Sequence, residues 1–179
     1  MGSHASAEPV RVVLDCVRRI VRALRESSRE AERKVGISGA QLFVLQQLAA
    51  GLARSVSELA ERTLTHQSSV SAVVQRLTDA GLVTRQQSRT DRRRTDLQLS
   101  ARGRAVVSTA PPLLQDRLIE AVRQLPAGQR LGLASGLAEV VDRMQLPGGA
   151  PPMFFEDRAR RGLPRTRAAS PRGRSHARR

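Results

Sequence analysis

Between Ser38 and Ser100 the apolar residues change their spacing, and that change admits few folds. Leu42, Leu45, Leu48 and Ala49 recur at three and four positions, as on one helix face, and Gly51 ends the run. Ser55-Val56-Ser57-Glu58 sets a serine three residues ahead of a glutamate, a pairing that satisfies two free amides at a helix start. A short third helix follows, with Leu59 and Ala60 inward, then a turn through Leu64 and Thr65. Val70, Val73, Val74 and Leu77 form the stripe of a fourth helix over about 67–80, closed by Gly81 in a left-handed cap. The period then falls to two. Residues 82–87 and 95–100 read as strands, with Leu97 and Leu99 alternating with polar residues. Helix, helix, turn, helix, hairpin is the order of a winged helix-turn-helix, a mainly α fold with a small two-stranded β-wing.

The flanks are helical. Val10, Val13, Leu14, Val17, Ile20, Val21 and Leu24 stripe a first helix over 9–35, and Gly36 suits its C-terminal cap. Ser38 caps the next helix. Val106, Leu113, Leu114, Leu118, Ile119, Val122 and Leu125 mark a fifth helix, interrupted by Pro111 and Pro112. Leu131, Ala134, Leu137, Val140, Val141 and Met144 stripe a sixth. These end stripes lie far in sequence from the central unit, with too few partners in one chain to cover them, so we expect an obligate homodimer. The expected organisation is an extension over 1–8 (in part a tag), a domain over 9–147 and a tail over 148–179. Within the domain, about 38–100 forms the core unit, with dimerisation helices at about 9–35 and 101–146.

Charge narrows the partner. The chain carries 31 basic residues against 16 acidic, a formal +15, and all basic residues but Lys34 are arginine. Such an excess fits a polyanion, because each neutralised phosphate releases counterions. From Gly148 onward nine arginines face only Glu156 and Asp157, so the tail holds +7 and residues 1–147 hold +8. Its Gly, Pro, Ser and Arg content predicts disorder. Met153, Phe154 and Phe155 are the exception, an apolar triplet able to dock. The single cysteine, Cys16, excludes a disulfide framework within one chain and a cysteine-rich zinc site, and fits a reducing cytoplasm. Charged residues interrupt every long apolar stretch, so neither a transmembrane segment nor a membrane partner is expected.

The second helix of a helix-turn-helix enters the major groove, and its N-terminal residues meet base edges. Opposite its valines, this helix carries Gln67, Ser68, Ser69, Ser71, Gln75 and Arg76. Gln reads adenine, Arg reads guanine, and Ser bonds base or phosphate. A solvated helix face is the plainer reading for any one of them; the basic hairpin downstream argues against it for the set. That hairpin holds Arg89, Arg92, Arg93 and Arg94 around Asp91. Guanidinium groups favour narrow minor grooves, and a carboxylate can fix one beforehand. Thr65, His66 and Arg85 are candidates for contacts to the DNA backbone.

Ser55 to Ala60, Gln67-Ser68-Ser69-Val70-Ser71, LTDAGLVTR over 77–85, Asp91-Arg92-Arg93, and LQLSARG over 97–103 together resemble the MarR family of bacterial regulators. The resemblance spans about residues 10–145. It implies double-stranded DNA as partner, at a pseudo-palindromic operator, bound by a homodimer with interlocked terminal helices. It implies repression, relieved by a small, often phenolic or anionic, effector or by cysteine oxidation. It places Asp91 and Arg93 at the family's wing acid and minor-groove arginine. Three features depart from the pattern: the double proline within the family's long fifth helix, the basic tail, and the lack of Tyr or Trp to stack on an aromatic effector.

Cys16 falls roughly where oxidation-sensing members carry a reactive cysteine, but without their tyrosines. Beside Val13 and Val17 it reads as a buried, inert thiol; Arg19, one helix turn on, is the feature favouring reactivity. A thiol sensor, or a non-specific nucleic-acid binder driven by the tail, are the alternatives. His4, His66 and His176 lack ligand spacing, so no metal is expected. No nucleophile–base pair or phosphate-cradling glycine loop suggests an enzyme or a cofactor.

Overall fold

The computed structural model describes residues 3–87, 95–146 and 148–155. Seven helices and two strands follow in the order α1 (Ser3–Val35), α2 (Gly39–Ala49), α3 (Val56–Thr63), α4 (Gln67–Asp79), β1 (Val83–Gln87), β2 (Thr95–Leu99), α5 (Ala101–Thr109), α6 (Leu114–Arg123) and α7 (Ala127–Arg143). The winged helix-turn-helix expected from the spacing is present. Helix α1 starts six residues earlier than its apolar stripe indicated and carries Pro9 inside it.

Local signals set most boundaries. Ser38 accepts from the Gln41 amide while the Gln41 side chain accepts from the Ser38 amide, a complete capping box at α2. At α3 only half of the expected box forms. Ser55 Oγ accepts from the Glu58 amide, but Glu58 reaches one residue further back, accepting from the Arg54 amide at 2.7 Å. Gly81 takes φ +68°, as the end of α4 requires. Leu64 makes the tight α3–α4 turn at φ +51° without a glycine.

Helix α2 departs from the one-faced reading. Ala40, Leu42, Phe43, Val44, Leu45 and Leu48 are all buried, whereas Ala49 is exposed. Helices α1, α3, α4 and α5 and strand β2 surround it, so the whole circumference of the helix is core. Leu59, Val70, Val73, Val74, Leu77, Leu82 and Val83 complete the cluster.

The wing is antiparallel, with Val83 opposite Leu99 and Arg85 opposite Leu97. Its base is pinned where the Leu97 amide donates to the Arg54 carbonyl at 2.7 Å. After the wing, Pro111 and Pro112 divide the expected fifth helix into α5 and α6, because two missing amide donors and ring crowding cannot be absorbed in one helix.

The ends of the chain are not covered. Val10, Val13, Leu14 and Val17 of α1 are exposed, as are Leu131, Leu137 and Val140 of α7 and Met144 at its C-cap. No residue of α7 is buried, and among the described residues it packs against no other element to any substantial extent. At the start of the tail, the apolar triplet excepted from the disorder expected there does reach the core, through Met153. Residues 148–155 are described, and Met153 is 4% exposed, within the main apolar cluster. Among the described residues no helix is long and apolar enough to cross a membrane.

Candidate nucleic-acid interface

Helix α4 is held from behind by Val70, Val73, Val74 and Leu77, all fully buried. Gln67, Ser68, Ser71, Gln75 and Arg76 are exposed on the opposite side, as their spacing predicts. Ser69 is the correction. It is 7% exposed and faces inward, and its Oγ donates to the Pro151 carbonyl at 2.8 Å. A residue four before Val73 shares its face, so the hydroxyl falls on the buried side of the stripe.

The exposed face is tied to the wing. Arg85 Nη2 on β1 donates to Gln75 Oε1 at 3.1 Å, and Gln75 Nε2 donates to Asp79 Oδ1 at 2.8 Å. Gln75 thus bridges helix and strand, and Asp79, which spacing alone did not single out, orients its amide. His66 stands at the N-cap of α4 but its side chain makes no capping bond. The positive end of the helix therefore keeps amide donors for an anion. Thr65 Oγ1 donates to the Thr63 carbonyl at 3.0 Å, which leaves its lone pairs available. Arg89, Asp91, Arg92, Arg93 and Arg94 lie outside the described residues, as does the tail from 156.

Cys16 is exposed, not buried as its valine neighbours suggested, because the α1 stripe around it is uncovered. It borders a cavity of about 440 Å³ between α1 and α6, whose walls include Ile20, Leu24 and Leu118 with Arg19 and Arg117.

Residues 35–94, which hold α2 to α4 and β1, match the model of the MarR family. The match covers about a third of the chain. The chain is also similar to the HTH-type transcriptional repressor MdtR of Bacillus subtilis (strain 168), 39% identical over 74 residues. That match takes in 41% of this chain and 48% of MdtR, so the chain spans about half the length of its curated relative. Among solved structures, the transcriptional regulator BldR from Sulfolobus solfataricus superposes with a TM-score of 0.50 at 23% identity, over 76% of this chain and 97% of BldR. A further MarR family transcription regulator superposes at 0.52 with 16% identity, over 80% of this chain and 93% of its own. In both, the shared fold extends past the matched segment into the flanking helices.

Proposed function

We propose that this chain is a sequence-specific, DNA-binding transcription regulator of the MarR type, acting as a homodimer. One observation carries the reading. Helix α4 is locked into the core along one face while Gln67, Ser68, Ser71, Gln75 and Arg76 form a continuous polar face on the other, braced to the wing by Arg85. A rigid helix bearing these side chains is what major-groove readout needs. The wing arginines, with Arg93 foremost, supply the minor-groove contact, and Thr65, His66 and Arg85 hold phosphate. The uncovered stripes of α1 and α7 supply the dimer interface, and a two-fold dimer binds a pseudo-palindromic operator. Repression is carried over from the relative MdtR. The α1–α6 cavity, aliphatic with Arg19 and Arg117 at its wall, fits a small anionic effector.

The test begins with selection of a duplex from a random pool by the full chain. Gln67→Ala, Gln75→Ala and Arg76→Ala should each cost about 1–3 kcal/mol on that duplex wherever the native side chain reads a base, with little change on shuffled DNA. Equal weakening on both DNAs would show that α4 is not the reader. A thiol sensor is the second reading, favoured by the exposure of Cys16 at the cavity.

A further inference from the structure

Residues 148–155 belong to neither the matched segment nor a helix or strand, yet they reach the inward side of α4. We infer that this stretch is a strap that docks on the first turn of α4 and holds the helix in its reading position. The inference deepens the proposed function and rests on α4 being the reader.

Met153 is 4% exposed while Pro152 and Phe154 on either side are exposed, so one side chain in an irregular run has been drawn into the core. Ser69 supplies the second contact. Helical Ser and Thr hydroxyls commonly bond back to the carbonyl four residues earlier. Thr63 does so to Leu59 and Thr78 to Val74. Ser69, third in α4, has no helical carbonyl four residues back, and its hydroxyl donates to the Pro151 carbonyl, 82 positions away in sequence. The site is a turn in want of support, because His66 gives α4 no side-chain cap and uncapped ends fray. Pro151 and Pro152 limit the freedom lost on docking. Helix α7, just upstream, has no buried residue, so the strap is a foothold of the C-terminal region on the DNA-facing lobe. Met153 and Ser69 are accordingly positioning residues for base readout.

Full-length Met153→Asp, Met153→Ala and Met153→Leu proteins are compared on two DNAs, the duplex enriched by the full chain and a shuffled duplex of equal composition. Hydrogen exchange over residues 67–72 is followed without DNA. Met153→Asp should lower the preference for the enriched duplex roughly tenfold, the size of one good base contact. Affinity for the shuffled duplex should hold, since every arginine remains. Exchange in the first turns of α4 should quicken, and Met153→Leu should restore both readouts. Should Met153→Asp fail to fold, Met153→Ala is expected to show the same signs in smaller measure. A lowered melting temperature with DNA preference and exchange unchanged would make Met153 merely structural and overturn the inference. A full chain that enriches no sequence would overturn the proposed function instead, and exchange alone would then decide the strap.

Discussion

Gly103 in α5 lies so close to the carbonyl oxygen of Leu82 that a Cβ would collide with it. The carbonyl cannot easily retreat, because it also accepts from the Ser100 amide at 3.0 Å. Ser100 in turn donates its hydroxyl to Gly81 and accepts from the Gly103 amide. The glycine of the LQLSARG motif thus lets α5 leave the wing directly over the end of α4. Alanine would gain up to about 1 kcal/mol in helix propensity but lose more by overpacking, so Gly103→Ala should destabilise by about 1–2 kcal/mol net in urea unfolding. An unchanged midpoint would show that the clash relaxes freely.

Asp116 on α6 accepts from the buried Gln47 side chain at 3.1 Å. Burial raises its carboxyl above the ordinary range, although the Gln47 hydrogen bond and the charge of Arg62 pull the other way. A carboxyl raised in the folded state contributes stability below its unfolded value, and that contribution fades as pH rises through the folded value. Asp116→Asn, whose amide oxygen still serves Gln47, should therefore melt slightly higher than the parent near pH 7. The gap should close as pH falls toward the ordinary carboxylate range. A parent that is the more stable at pH 7 would reverse this assignment.

Val17 on α1 and Leu137 on α7 are each more than two-fifths exposed in the single chain. Val17→Glu with Leu137→Glu should turn the proposed dimer into monomers in sedimentation, because paired charges would have to be buried at its interface. The thiol of Cys16 should then react faster with a bulky disulfide reagent than in the parent. Cys16→Ser should keep DNA binding and its release by an effector. Peroxide-triggered release in the parent that vanishes in Cys16→Ser would establish the thiol sensor.

Wing and tail arginines should differ in kind. Arg93→Ala should weaken binding most where the minor groove is narrow and A·T-rich, by more than one phosphate contact is worth. Removing residues 156–179, with their nine arginines, should weaken enriched and shuffled DNA alike and flatten the salt dependence. Salt titrations of both variants on both DNAs separate the two, and a tail that alone carries sequence preference would refute the wing assignment.

Features that depend on residues within about four positions were legible in the sequence. Ser38 and Ser55 as caps, Gly81 as a stop, the alternation of Leu97 and Leu99, and the polar side of α4 at Gln67, Ser68, Ser71, Gln75 and Arg76 all follow from helix and strand periods. Tertiary packing decided what the period leaves open. Phe43 and Val44 are buried because other elements close around every side of α2, and periodicity reports one face at a time. Ser69 sits at the rim of a stripe, where a small polar side chain turns toward whichever neighbour supplies a partner, and that partner lies at Pro151. Met153 reaches the core although no helix or strand carries it there; its apolar side chain was visible in the tail, but the place it fills exists only once the core elements have packed.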